Sequence, residues 1–207
     1  MIVDNLKASI LNFAISGNFV KNSNNNASTE LQTLYKIKEK QILNKEVLIS
    51  AKIFPVKEVP FQVPSNWEWV RLGNISKVVS KGTTPQGGKN AYKESGIKFL
   101  RAENVKNYKI DETNIQFISE DVHQNFLRRS ILEDKDLLIC IAGTLGRCGI
   151  VSQENLPLNT NQAVSFVRMI NTDLINVKYI SYAISSPIIQ NILIDQKKIT
   201  AIPNLTL

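Results

Sequence analysis

The sequence predicts an α+β (mixed) protein: an N-terminal helical leader, then a body with a mixed, strongly twisted sheet and flanking helices. Three observations predict it. Apolar residues recur at helical spacing as far as Ile42. From Trp69 onward the pattern changes to short runs rich in β-branched and aromatic residues. Between the two lies Val59–Pro85, which holds both tryptophans and three of the seven prolines. Pro60 and Pro64 each bias the preceding residue toward extended backbone, so no helix is expected to cross them. With 207 residues, 43% hydrophobic and 21% charged, the chain can bury one main core and a small accessory element.

Val3–Ser16 places Leu6, Ile10, Phe13 and Ala14 at helical spacing, with Gly17 where a left-handed cap ends a helix. Lys21–Thr29 is polar and asparagine-rich and reads as a connection. Helix is expected again from Ser28 as N-cap, with Glu30 at the positive end and an apolar stripe of Leu31, Leu34, Tyr35 and Ile42 interrupted by Lys38. That stripe needs a partner. Val47–Val63 reads as a linker, after which Trp67, Val70 and Leu72 anchor the chain while Arg71 faces out. Strands are expected at Val70–Leu72, Ile75–Val79, Ile97–Leu100, Ile115–Ile118, Leu137–Ile141, Gly149–Val151 and Ala163–Arg168. Ser119–Phe126 suits one or two helical turns behind a capping serine. Val177–Ile184 and Pro187–Lys197 read as helices, the second opened by Ser186 as N-cap and Pro187 at its first position.

Charge narrows the partners. Net charge is +7 with a pI near 9.4, a balance that favours polyanions. Between Lys77 and Lys109 eight Lys or Arg face two Glu, which fits an electrostatic footprint for nucleic acid and fits a solvated lysine-rich surface equally well. Cys140 and Cys148 are the only cysteines and have no neighbouring ligands for zinc, so both read as reduced core thiols. No segment has the roughly 20 apolar residues of a membrane span, and the expected compartment is the cytoplasm.

Motifs for catalysis are missing. There is neither a cofactor-cradling glycine turn after a strand nor an Asn-Pro-Pro-Tyr motif, as a methyltransferase would need. Gly143–Gly149 follows a strand, but its spacing fits neither the dinucleotide fingerprint nor the phosphate loop, and a tight turn is expected. His123, the single histidine, lies in a polar helical stretch and is expected at the surface. Asp134 and Asp136 flank Lys135 before a strand; they read as turn residues rather than as metal ligands.

The order of blocks resembles the DNA-specificity subunit of Type I restriction-modification systems. The leader Leu6–Val20 and the Ala27–Lys40 helix come first, then Pro64-Ser65-Asn66-Trp67-Glu68-Trp69-Val70-Arg71-Leu72-Gly73 opening a target-recognition domain. Gly82-Thr83-Thr84-Pro85, Gly96–Val105, Asp136-Leu137-Leu138, Gly143-Thr144-Leu145-Gly146, Asn159-Thr160-Asn161-Gln162 and Ile202-Pro203-Asn204-Leu205 follow in order. The resemblance implies residues 1–57 as a partner-docking leader and linker, and 58–207 as the recognition domain. It implies no enzyme activity and no cofactor or metal. The expected role is reading one half of a split double-stranded DNA target, thereby directing methyltransferase subunits and, through them, restriction subunits. The family places a long conserved helix after the Ile-Pro-Asn-Leu block, and the sequence has none there. A half-subunit able to self-associate, a truncated product or a recombination cassette is therefore expected. The alternative expectation is a silent cassette acting only through subunit interaction.

Readout needs Arg or Lys for guanine, Asn or Gln for adenine, and further cations for phosphates. Two loops are best equipped: Lys81, Thr83, Thr84 and Lys89 in the first, and Arg101, Asn104, Lys106 and Asn107 in the second. Arg128, Arg129, Arg147 and Asn161 complete the expected DNA-binding set. Turn hydrogen bonding competes with DNA contact at Asn104 and Asn161.

Overall fold

In a computed structural model of the chain, residues 2–19, 26–44 and 53–199 are described. Residues 21–25 of the expected Lys21–Thr29 connection, residues 47–52 of the expected linker and the Ile-Pro-Asn-Leu block lie outside the described residues, while Ala27–Thr29 already belong to a helix. The chain divides into two units, Met1–Val78 with Met169–Ile192, and Val79–Arg168 with Leu193–Leu207.

The first unit is helical. Helix α1 (Ile2–Ile15) ends as expected at Gly17, whose φ of +78° is the left-handed conformation of a helix cap. Gly17 is also required for close approach, since a Cβ there would lie 2.6 Å from the Pro64 ring. The expected apolar stripe does not face the core: Ile15 is buried, whereas Leu6, Ile10 and Phe13 are about half exposed. Helix α2 (Ala27–Leu43) is capped by Asn26 rather than Ser28, because Asn26 is the last extended residue and its Oδ1 accepts from Ser28 N at 3.0 Å.

Helix α2, on which Leu31 and Leu34 are buried, packs against a 3₁₀ turn at Leu72–Ile75. Lys38 belongs to that contact instead of interrupting it: it is 2% exposed, and its Nζ donates to Gly73 O at 2.8 Å and Asn74 O at 3.3 Å. The same turn replaces the strand expected at Val70–Leu72. Side chains claim its carbonyls, Lys38 taking Gly73 and Ser76 Oγ taking Leu72 at 2.6 Å, so no strand ladder forms. The buried Asn74 amide pairs with both backbone groups of Phe54, at 3.1 and 2.8 Å, and holds the incoming segment. Trp69 Nε1 donates to Phe61 O at 3.1 Å, and Trp67 packs edge-on to Tyr179. Tyr179 lies on helix α3 (Val177–Ser185), and helix α4 (Pro187–Ile199) follows behind Ser186, whose Oγ accepts from Ile189 N at 3.5 Å.

Strand β1 (Ser76–Lys81) leads into the second unit, where β2 (Ile97–Leu100), a hairpin of β3 (Val105–Lys106) and β4 (Lys109–Ile110), β5 (Gln116–Ile118), β6 (Leu137–Cys140), β7 (Cys148–Ile150), β8 (Leu158–Thr160) and β9 (Val164–Met169) follow. They form a four-stranded sheet ordered β1-β9-β6-β7, a three-stranded sheet ordered β5-β2-β8, and the hairpin. The second sheet is mixed, β2 running antiparallel to β5 and parallel to β8. Strand β6 is buried at every residue, and Phe99, Ile118, Leu138, Leu158 and Phe166 fill the interior. Burying each such side chain contributes about 1.5–3 kcal/mol. The expectation of an α+β fold with a mixed sheet holds. Strand β8 lies beyond the strands expected from sequence, because Leu-Asn-Thr is too short and polar to register as one.

His123 corrects an expectation. It is 2% exposed, on a π-helical turn at Val122–Phe126 that turns it inward, and its Nδ1 lies 3.2 Å from Asn159 Nδ2. Burial pushes the imidazole pKa below its ordinary value, against the pull of Glu120. Asp136 is a turn residue, as expected, and also half of a buried fork. Its carboxylate accepts from Glu133 N at 2.8 Å and from Arg168 Nε and Nη2 at 2.8 and 2.7 Å. Cys140 and Cys148 are buried thiols that form no disulfide.

Candidate nucleic-acid interface

In the second unit, the C-terminal ends of β1, β2, β6 and β8 come together. Parallel pairing sets Leu100 of β2 beside Thr160 of β8, and Asn161 N donates to Leu100 O at 3.3 Å. The loop after β1 lies against the same turn: Gly82 N donates to Val164 O at 3.1 Å and Thr83 N to Thr160 O at 3.2 Å. A Cβ at Gly82 would lie 2.1 Å from Thr160 O, so only glycine allows this approach. From the end of β6, Ile141 N donates to Ala163 O at 2.9 Å, and the turn to β7 brings Arg147 Nη2 onto Ala102 O.

This convergence gathers Lys81, Thr83, Thr84, Arg101, Arg147 and Asn161 from the expected set. Lys81, Thr83 and Thr84 are exposed, and Arg101, Arg147 and Asn161 are half-buried. Arg101 Nη2 pairs with Glu103. The Nε atoms of Arg101 and Arg147 are both buried without a hydrogen-bond partner, an arrangement that costs free energy until a partner is found. The neighbouring Cys140 thiol has its pKa pushed up by burial, against the pull of Arg147. Asn161 spends its Oδ1 on Ala163 N at 3.2 Å and shapes the turn.

Asn104 is removed from the base-reading candidates. It is 1% exposed, its Oδ1 accepts from Arg101 N and its Nδ2 donates to Asp111 O, both at 3.0 Å. Its work is to fold the Arg101–Asn104 turn. Lys106 and Asn107 stand apart on the β3–β4 hairpin, where Asn107 and Tyr108 supply the two positive φ values, 50° and 64°, of a tight turn. Lys106 Nζ is 2.7 Å from Asp111 Oδ2. The hydrogen bonds from Lys106 and then from Thr113 hold the Asp111 carboxyl pKa down to about 2. Lys89 is exposed on a 3₁₀ turn at Gly88–Ala91, and Arg128 and Arg129 are exposed on another at Arg128–Ser130.

Sequence reasoning passed over Gln162. It is exposed at the apex of the turn after β8, and its Oε1 accepts from the Thr84 hydroxyl. Its place beside Asn161 in the Asn-Thr-Asn-Gln block was the available signal. Among the described residues, no group of three or more His, Cys, Asp or Glu gathers to hold a metal, and no helix is long and apolar enough to cross a membrane.

Comparison with known proteins places the chain in a family. The family model of the Type I restriction modification DNA specificity domain matches residues 64–207. The EcoAI Type I restriction enzyme specificity subunit of Escherichia coli is 26% identical over 171 residues, covering 79% of this chain and 28% of the relative. The EcoEI specificity subunit of the same species is 24% identical over 199 residues, covering 88% of this chain and 32% of the relative. The chain thus spans about three-tenths of the length of these curated relatives. The solved HsdS subunit from Thermoanaerobacter tengcongensis is also similar, at TM-score 0.46 and 18% identity over 76% of this chain and 36% of that one. The chain belongs to the Type I restriction-modification DNA specificity family.

Proposed function

We propose that this chain is a non-catalytic, sequence-specific DNA-binding module of a Type I restriction-modification complex. Residues 58–207 read one half of a split duplex target, and residues 1–57 engage methyltransferase subunits, which bring restriction subunits to the site. The observation that carries the reading is the convergence of Lys81, Thr83, Thr84, Arg101 and Arg147 at neighbouring strand ends of the matched domain. Such an array offers the exposed Thr83 hydroxyl and cationic donors for phosphates and base edges, while the Thr84 hydroxyl is given to Gln162. A duplex gives Arg101 and Arg147 a stronger partner than the contacts they now make, at the cost of a side-chain swing that frees each Nε. Lys89, Arg128 and Arg129, exposed on separate turns, serve as phosphate contacts. The exposed Leu6, Ile10 and Phe13 of α1, with Phe19 stacked edge-on to Phe13 at 4.9 Å, offer an apolar face for a protein partner.

The test is titration of the full chain, with methyltransferase present, against genomic and random duplexes across a salt series. Binding that weakens with salt and favours particular sequences is expected, and Lys81→Ala or Arg128→Ala should weaken it by removing phosphate contacts. Equal affinity for random and genomic sites at physiological salt would overturn the proposal.

A further inference from the structure

We infer that Gln162 reads an adenine in the major groove, with Thr84 as the residue that positions its amide; the inference rests on the DNA-reading function proposed above. The turn carrying Gln162 is fixed on both sides. Asn161 N donates to Leu100 O at 3.3 Å, Ala163 N donates to Asn161 Oδ1 at 3.2 Å, and Val164 N donates to Asn161 O at 3.2 Å. Facing it, the loop from β1 is held by Gly82 N on Val164 O and Thr83 N on Thr160 O. Gly82 touches the turn backbone directly, as the 2.1 Å approach of a Cβ to Thr160 O requires. Thr84 is therefore delivered to one place, and its hydroxyl donates to Gln162 Oε1.

The amide held by that bond matches one base. A glutamine amide offers one oxygen with two lone pairs and one NH₂ group. With one lone pair taken by Thr84, the oxygen keeps one acceptor position beside the Nε2 donors. Adenine presents a donor at N6 and an acceptor at N7, which use both ends of the amide. Guanine presents only acceptors there, and cytosine and thymine each match one end at most. An exposed glutamine costs rotamer freedom when it docks, and a side chain already oriented by a neighbour loses less.

The experiment selects duplexes from a randomised pool with the full chain as wild type, Gln162→Ala, Thr84→Val and Thr84→Ser. Each adenine of the selected site is then replaced by 7-deazaadenine, which lacks the N7 acceptor, in competition binding. The wild type is expected to lose roughly 5- to 150-fold in affinity at one adenine, the cost of leaving the docked Nε2 donor without its acceptor. Gln162→Ala should be indifferent to that replacement. Thr84→Val should lose roughly 2- to 10-fold of the discrimination, and Thr84→Ser should retain it. A Gln162→Ala variant that keeps the adenine preference, or one that weakens uniformly on all sequences as a phosphate contact would, overturns the inference while leaving DNA reading intact. A wild type that selects no sequence overturns the DNA-reading function, and the inference with it.

Discussion

Replacing Gly82 with alanine tests how the interface is built. The added Cβ would lie 2.1 Å from Thr160 O and 2.4 Å from Asn161 O, where ordinary contact begins near 3.4 Å. The loop must therefore retreat by about 1.3 Å. Such a shift stretches the bonds from Gly82 N to Val164 O, now 3.1 Å, and from Thr83 N to Thr160 O, now 3.2 Å, beyond useful range. Losing two hydrogen bonds costs about 1–3 kcal/mol, and overpacking adds about 1–3 kcal/mol. Urea denaturation should show a loss of roughly 2–6 kcal/mol, with DNA affinity falling in parallel because Thr84 and Gln162 separate. Gly73→Ala is the matched control: nothing lies within 4 Å of its added Cβ, and stability should stay within about 1 kcal/mol of wild type. Equal stability and equal DNA binding in the two variants would refute the close approach.

Three further outcomes follow from the buried and ion-paired groups. Asp136→Asn should cost about 3–5 kcal/mol in denaturant because Arg168 loses its buried carboxylate, whereas Glu133→Gln, at an exposed partner, should cost about 0–1 kcal/mol. His123 has a folded pKa below its unfolded value of 6.5, so its stabilising contribution is complete above that value and is lost as pH falls beneath it. The thermal midpoint should fall between pH 7 and 5, and less so in His123→Asn, which keeps an acceptor for Asn159 and cannot titrate. Carbon-detected NMR should place the Asp111 midpoint at about 2. Its folded pKa is depressed, so the ionised form persists as acid is added down to that pH, and Lys106→Ala should move the midpoint back up toward 3.8.

Much of the fold could be read in advance because its elements have local signatures. Ile97–Leu100 is a strand at the residues where β-branched and aromatic side chains cluster, and Gly17 caps α1 where glycine follows an apolar helical run. The failures are tertiary. Lys38 reads as a break in an apolar stripe until the carbonyls of Gly73 and Asn74 arrive from 35 and 36 residues away. His123 reads as polar surface until a π-helical turn brings it to Asn159. The site behaves likewise: composition marks the Lys77–Lys109 stretch as basic, but parallel pairing of β2 with β8 decides which loops meet. Gln162 acquires its place only because Gly82 lets the loop from β1 close over the turn after β8.

Amide chemical-shift mapping of the 207-residue chain against a duplex locates the bound DNA, expected at the gathered strand ends of the second unit. The largest shifts are expected at Gly82–Thr84, Arg101, Arg147 and Gln162, diminishing as salt is raised. Shifts confined to α1 and α3, or none at saturating DNA, would contradict that location.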